Sequence, residues 1–180
     1  MVIEFYRSFQ NMTQQIILEC ENVLNQLYKF TDELLFLGEP ITDQRLIEFE
    51  SRIGLELPID FKYILAMHNS FSLSATEVLG FDKKFRGSSL ENVYDFEHTE
   101  AGNPMFREFL PFSPDGTGNY YCLDLSRLEN CLCPVIFWQH DRLYSDKNDV
   151  ETCNDNFVHW IREVMIKWTL EHTKYNGSEK

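Results

Sequence analysis

The chain has 180 residues, of which 43% are hydrophobic and 14% aromatic, so it suits one domain with a buried core and excludes wholesale disorder. No run of about 18 uncharged apolar residues is present, which excludes a membrane-spanning helix. Its 29 acidic residues outnumber 16 basic ones, and the net charge of −13 disfavours nucleic acid and anionic membranes and favours a basic partner.

The N-terminus and the cysteines indicate a cytoplasmic protein. The stretch MVIEFYRSFQ carries Glu4 and Arg7 among its apolar residues, and no small-residue cleavage site follows it, which is not typical of a secretory signal. The chain has 5 cysteines, and an odd number cannot all pair. We therefore expect reduced thiols in the cytoplasm.

The first 70 residues predict three helices, over 13–30, 43–53 and 58–68. Thr42 or Asp43 can cap the second helix, and Gly54 suits the position just after its end. Pro58 fits the first turn of the third helix, where its missing N–H costs nothing. The apolar stripe of the first helix recurs at helical spacing: Ile16, Cys20, Val23, Leu24, Leu27 and Tyr28.

The middle of the chain predicts about five short strands, and its end predicts a helix over 155–172. Asn154 or Asp155 can cap that helix, and the three tryptophans, Trp138, Trp160 and Trp168, are expected in the core. The pattern favours an α+β fold, with a mixed or mostly antiparallel sheet of five to six strands between N-terminal helices and a C-terminal helix. The predicted strands are SLSATEVLGF, LENVYDFEH, FLPF, NYYCLDLS and CPVIFWQHD.

The turn PDGTGNYY could be a phosphate loop, a calcium loop or a hairpin. A phosphate loop requires a lysine or a third glycine opening a helix, and neither is present. Asp115, Thr117 and Asn119 have calcium-loop spacing, but Tyr120 stands where glycine is required and Ser126 where a bidentate glutamate belongs. Pro-Asp and the two glycines are typical of a turn between strands, so residues 114–126 predict a β-hairpin.

Catalytic and metal-binding patterns are weak. His140 and Asp141 are adjacent on a predicted strand and would face opposite ways, so they cannot orient each other. Cys131 and Cys133 have a spacing that is off the usual zinc pattern. Cys153, just before the last helix, is the one thiol with a plausible environment for reactivity, but its position favours a role in the capping of that helix. We therefore predict no catalytic residues, no metal and no cofactor.

Several segments resemble the SUKH superfamily, which includes the fungal Smi/Knr cell-wall regulators. They are IEFESRIGLELP (47–58), with Glu50 and Gly54 at matching positions, LPIDFKYILAMHN (57–69), GTGNYYCLDLS (116–126) and PVIFWQHD (134–141). Asn119 stands where an aspartate is usual in the family, and Ser70 where a glycine is usual.

The resemblance implies an α+β fold and a binding function. Bacterial members are immunity proteins that neutralise a cognate toxin, often a nuclease, whereas fungal and animal relatives are scaffolds and regulators. The family is not known as a class of enzymes. The expected organisation is a single domain over 1–176, with an N-terminal helical extension (1–40), a family-like core (41–173) and a polar tail (177–180).

These observations predict a non-enzymatic immunity protein that binds a basic, nuclease-type toxin. A regulatory scaffold of the Smi/Knr type and an uncharacterised hydrolase are the alternatives. Residues 91–100 carry four carboxylates without a lysine or arginine, and one of Tyr120 and Tyr121 should face solvent because neighbouring strand residues alternate. The predicted partner-binding residues are Glu91, Asp95, Glu97, Glu100, Asp115, Asn119, Tyr120, Tyr121, Asp141, Asp146 and Asp149.

Overall fold

The structure is a computed structural model that describes residues 2–82 and 87–180, with side chains from Gln10 onward. Within these ranges, no helix combines the length and the apolar character needed to cross a membrane. The helices are α1 (Val2–Leu27), α2 (Asp43–Ile53), α3 (Ile59–Met67), α4 (Leu90–Thr99), α5 (Phe157–Trp160) and α6 (Trp168–His172). The strands are β1 (Leu35–Leu37), β2 (Phe71–Leu73), β3 (Thr76–Val78), β4 (Phe109–Pro114), β5 (Tyr120–Asp124), β6 (Val135–Trp138) and β7 (Glu151–Asn154).

The strands form two antiparallel sheets, in the orders β1-β2-β3 and β4-β5-β6-β7, which confirms the predicted α+β class. The backbone N–H of Leu79, just after β3, donates to the carbonyl of Phe112 in β4 at 2.8 Å, so the sheets meet at this point. The predicted hairpin is present, because β4 pairs with β5 from Phe109↔Asp124 to Pro114↔Tyr120. Helix α2 has its predicted bounds and ends at Gly54, whose φ of 71° suits glycine.

The segment LENVYDFEH was predicted as a strand, and this prediction is wrong, because it forms α4. The side chain of Ser89 accepts a hydrogen bond from the backbone N–H of Asn92, which caps the helix. The buried side chains then follow a helical period rather than strand alternation. They are Leu90, Val93, Tyr94 and Glu97.

The last helix differs from the expectation in two places. Its N-cap is Asn156, one residue beyond the predicted caps, and its middle, Ile161–Lys167, is π-helical. A π turn holds more residues than an α turn, so it rotates the apolar stripe away from its original direction. Trp160, which precedes the π-helical segment, is buried, whereas Trp168, which follows it, is 51% exposed, so the prediction that Trp168 lies in the core is wrong.

The N-terminal extension and the end of the chain both pack on the main core. Cys20 and Leu27 of α1 are fully buried in it. The backbone N–H of Thr31 donates to the carbonyl of Tyr175 at 3.0 Å, and the Tyr175 ring lies 4.7 Å from that of Phe30. Residues outside the family-like core therefore contribute to the same apolar interior.

A buried carboxylate, that of Asp60 in α3, holds the last helix in place. Its Oδ2 accepts hydrogen bonds from the backbone N–H groups of Phe157 at 3.0 Å and Val158 at 3.3 Å, and its Oδ1 accepts from Phe61 at 2.9 Å. Burial raises the pKa of Asp60 from 3.8 to about 6, although these three N–H groups act to lower it.

Replacing Asp60 with asparagine tests this assignment. Because its folded pKa is raised, the folded protein binds more protons than the unfolded chain between about pH 4 and pH 6, and stability falls as pH rises through that range. The free energy of unfolding of wild type, measured relative to that of Asp60→Asn, should therefore decrease by on the order of 2–3 kcal/mol from pH 4 to pH 7. Urea denaturation of both proteins at several pH values measures it. A difference that stays constant with pH would contradict the raised pKa.

Candidate partner-binding surface

Three segments meet at one end of the four-stranded sheet. Because the strands are antiparallel, the β4–β5 turn and the β6–β7 loop lie at the same end. The Asn119 Oδ1 accepts a hydrogen bond from the backbone N–H of His140 at 3.1 Å, and the His140 Nδ1 lies 3.0 Å from the same oxygen. The Asn103 Nδ2 donates to the carbonyls of His140 at 3.1 Å and Arg142 at 2.8 Å. We call residues 100–103, 115–120 and 139–149 the loop surface.

Asp115 organises the turn rather than facing a ligand. Its Oδ1 accepts from the backbone N–H groups of Thr117 at 2.7 Å and Asn119 at 3.1 Å. Its Oδ2 accepts from the Thr117 hydroxyl at 2.7 Å and the Asn119 Nδ2 at 2.8 Å. Burial acts to raise the pKa of Asp115, but these hydrogen bonds outweigh it and the pKa is lowered. Both oxygens are engaged within the turn, and the described residues contain no group of three or more His, Cys, Asp and Glu side chains placed to hold a metal.

Asn119 stands where an aspartate is usual in the family that the sequence resembles, and it fits its surroundings better than an aspartate would. Its amide nitrogen donates to Asp115 while its amide oxygen accepts from His140. A carboxylate at this position could not donate, and it would place two negative charges about 3 Å apart. The amide therefore connects the turn to the β6–β7 loop.

The β6–β7 loop exposes an apolar side chain among carboxylates. Leu143 is 84% exposed, the highest value among the exposed large hydrophobic side chains that the structure describes. Asp141 and Asp149, in the same loop, are exposed and form no ion pair with any described residue. The Arg142 guanidinium lies over the Tyr144 ring at 4.9 Å, and the Lys147 Nζ lies 3.4 Å from the Glu108 Oε1, so the cations of this loop are engaged. Sequence reasoning missed Leu143, whose signal is that it is the single aliphatic residue within DRLYSDKND.

Asp146 has a structural contact in the same loop. Its Oδ1 accepts from the backbone N–H of Asn148 at 2.8 Å and from the Asn148 Nδ2 at 2.7 Å, which caps a short 3₁₀ turn, Lys147–Asp149. This carboxylate is exposed but cannot be replaced without disturbing the turn.

The predicted acidic segment 91–100 is less free than its sequence indicates. The Arg45 Nη2 donates to Glu91, and the Arg52 Nη1 donates to both carboxylate oxygens of Asp95, at 2.7 and 3.0 Å. Both arginines belong to α2, so the compensating cations come from another element. Glu97 is only 6% exposed, on the buried side of α4, which corrects its assignment to the surface.

Glu100 is the remaining member of that predicted set. It is exposed and forms no ion pair within the described residues. Glu100 follows α4 directly as its C-cap and precedes Asn103, whose side chain holds the β6–β7 loop. Of the four predicted carboxylates, it is therefore the one that contributes a free charge to the loop surface.

Tyr120 and Tyr121 are both half-buried, so neither is the solvent-facing anchor that strand alternation predicts. Tyr121 packs on Phe137 and on Trp160 of the last helix, with ring centroids 5.0 and 5.3 Å away. Tyr120 lies near Glu97 of α4, and burial, followed by the effect of the Glu97 carboxylate, raises the pKa of Tyr120 to about 12. A helix covers each face of the sheet at this point. The two tyrosines point to opposite faces, so each of them packs against a helix and not against solvent.

The cysteines are poorly suited to nucleophilic chemistry. Burial raises the pKa of the Cys20, Cys122 and Cys133 thiols. The pKa of Cys131 is also raised, chiefly by burial. Cys153 lies exposed on β7, where desolvation and then Glu151 raise its pKa to about 11. All five thiols therefore remain protonated at neutral pH, and the thiolate is the reactive form.

A cleft beside α4 adjoins the loop surface. It has a volume of about 510 Å³, and Asn92, Asp95, Phe96, Glu100 and Tyr120 are among its lining residues. Phe96 is 49% exposed. Glu100 and Tyr120 belong to both the cleft and the loop surface, so the two regions are continuous. We call the part formed by the lining residues of the cleft the α4 cleft.

The family model of the SMI1 / KNR4 family (SUKH-1) matches residues 40–163, which include α4 and the whole loop surface. A search of curated proteins gives no match.

Gly118 provides a test of the contact between the turn and the β6–β7 loop. Gly116 and Gly118 both have positive φ, 85° and 102°, but a Cβ at Gly118 would lie 3.0 Å from the His140 Nδ1, whereas a Cβ at Gly116 would meet nothing within 4 Å. Both alanine variants pay about 1–2 kcal/mol for the left-handed backbone. Gly118→Ala should lose about 1 kcal/mol more, because it also pushes against the His140 ring.

Urea denaturation of both variants measures this difference, and Gly118→Ala combined with His140→Ala provides the control. Removing the ring should abolish the additional loss. Equal losses for Gly116→Ala and Gly118→Ala would show that His140 does not press on the turn.

Proposed function

The chain belongs to the SMI1 / KNR4 family (SUKH-1), and we propose that it is a non-enzymatic immunity protein that binds and neutralises a basic toxin domain of nuclease type through the loop surface. Family membership supports a protein of the immunity or Smi/Knr type. The observation that carries the finer proposal is the exposed Leu143 between unpaired carboxylates, on loops that side-chain hydrogen bonds hold in place.

The charge distribution suits recognition of a basic protein. Glu100, Asp141 and Asp149 are exposed on the loop surface without ion pairs to described residues. Exposed charges of one sign attract an oppositely charged partner during diffusion and raise the association rate. The net charge of −13 adds to this attraction at longer range.

The apolar side chain at the centre of these charges suits a bound complex. A side chain that packs into a pocket of the partner slows dissociation, while surrounding polar groups contribute mainly to orientation. Leu143 is so exposed in the free protein that burying it against a partner would remove most of its apolar surface from water.

The remaining features support binding rather than catalysis in the cytoplasm. The thiols have raised pKa values, and His140 contacts the Asn119 amide rather than a carboxylate. Asp124 is buried and accepts hydrogen bonds from Ser126 and from the Arg127 Nε at 2.6 Å. All five cysteines are free, which suits a reducing compartment.

Neutralising the loop-surface charges tests the steering role. The variant Glu100→Gln, Asp141→Asn, Asp149→Asn removes three carboxylates that make no described ion pair. Its association rate with the basic toxin domain encoded beside the gene should fall about fivefold at low salt, because electrostatic steering is lost. The dependence of that rate on salt should also flatten. Stopped-flow kinetics at two salt concentrations measures both effects.

A matched control separates local steering from total charge. Glu129→Gln, Glu171→Gln, Glu179→Gln makes the same change in net charge at exposed positions outside the loop surface. It should change the association rate much less. If both triple variants slow association equally, the loop surface has no special role, and if no toxin encoded beside the gene binds the wild type, the immunity function is wrong.

Leu143→Ala tests the anchor. The dissociation rate of the complex should rise about tenfold, because a buried interface side chain of this kind contributes more than about 1 kcal/mol. The association rate and the melting temperature should hardly change, since Leu143 is exposed in the free protein and surface changes stay within about ±0.5 kcal/mol. Surface-resonance kinetics and thermal denaturation measure these quantities. An unchanged dissociation rate would place the interface elsewhere.

A further inference from the structure

We infer that the α4 cleft receives an arginine side chain of the partner, an inference that rests on the proposed function and specifies the chemistry of its recognition. The cleft, of about 510 Å³, lies within the range of about 300–1,000 Å³ typical of ligand pockets. It opens beside the loop surface, with which it shares Glu100 and Tyr120. A partner that covers the loop surface from Leu143 to Glu100 would also cover the cleft.

The charges around the cleft favour a cation. Asp95 and Glu100 line it, and among the lining residues that the structure describes there is no lysine or arginine. The buried carboxylate of Glu97 lies near Tyr120 and adds to the negative charge on this side of α4. Arg52 of α2 already donates to both carboxylate oxygens of Asp95. Glu100 is therefore the lining carboxylate that remains available to accept hydrogen bonds from a partner.

The aromatic walls distinguish a guanidinium from other cations. Phe96, which is 49% exposed, and Tyr120, which is half-buried, both line the cleft. A planar guanidinium stacks on aromatic rings and can donate two parallel hydrogen bonds to one carboxylate, whereas an ammonium group is a compact, strongly hydrated charge. An arginine can therefore lie against the rings while donating to Glu100.

The structure already contains this type of contact nearby. The Arg52 guanidinium lies over the Phe49 ring at 5.3 Å and donates to both oxygens of Asp95. The Arg45 guanidinium lies over the Phe81 ring at 5.1 Å and pairs with Glu91. Each of these arginines combines a ring with a carboxylate of α4, and Phe96 and Glu100 offer the same combination on the open side of the helix.

A short peptide tests the cleft without the toxin. The probe is an acetylated and amidated pentapeptide, Gly-Gly-Arg-Gly-Gly, titrated into the full protein and followed by chemical shifts of the Phe96 and Tyr120 rings. The shifts should saturate with the peptide. The same peptide with citrulline, which has the shape of arginine without its charge, should give at least about fivefold weaker binding, the size expected when an ion pair is lost.

Two carboxylate variants and one ring variant locate the site. Glu100→Gln should weaken binding of the arginine peptide about fivefold, and Phe96→Leu should weaken it to a similar extent by removing the ring. Glu129→Gln is the matched control, because Glu129 is exposed at the opposite end of the sheet, and it should leave the affinity unchanged. Asp95 is unsuitable for this test because it also holds Arg52.

The outcomes separate this inference from the proposed function. Equal binding of the arginine and citrulline peptides, an unchanged affinity of Glu100→Gln, or shifts away from Phe96 and Tyr120 would overturn the inference, even if the toxin binds through Leu143. Saturable binding of the arginine peptide in the cleft would support it, even if the toxin encoded beside the gene does not bind and the immunity function fails.

Discussion

The carboxylate of Asp60 is the contact on which the arrangement of the molecule depends. The first N–H groups of a helix have no partner within the helix, and leaving them unpaired in a buried position is costly. Asp60 accepts two of them at the start of α5, and so fixes the last helix against α3. From that point Phe157 and Trp160 pack on Phe112 of the sheet, with ring centroids 5.1 and 4.8 Å away. One face of the four-stranded sheet is thereby covered.

The helices that cover the two faces of the four-stranded sheet decide which parts of the molecule remain available to a partner. The last helix lies against Tyr121 on one face, and α4 lies against Tyr120 on the other. Contact surfaces are then left at the ends of the strands, where loops carry exposed side chains on a rigid scaffold. Asn103 and Asn119 hold two of these loops together through His140, so their carboxylates and Leu143 keep a defined arrangement before any partner binds. Such preorganisation lowers the entropy lost on binding.

The strong negative charge is distributed less simply than its total indicates. On α4, the carboxylates facing α2 are paired with Arg45 and Arg52, and Glu97 is buried against Tyr120. These groups stabilise the packing of α4 and contribute little to an external field. Glu100 at the C-terminal end of α4, and Asp141 and Asp149 in the β6–β7 loop, are exposed without ion pairs to described residues, which places free negative charge beside the cleft and around Leu143.

The sequence by itself determined features that depend on local rules. Helix α2 was predicted with its observed bounds because its apolar period and Gly54 act within one element, and the hairpin followed from the glycines of its turn. Sequence motifs also indicated the family. Tertiary structure decided the rest. The segment LENVYDFEH has aromatic and β-branched residues that suit either state, and the Ser89 cap and burial on one side made it a helix. Whether a carboxylate is free depends on cations about 40 residues away, and the loop that carries Leu143 is held by hydrogen bonds from Asn103, because such interactions join elements that are distant along the chain.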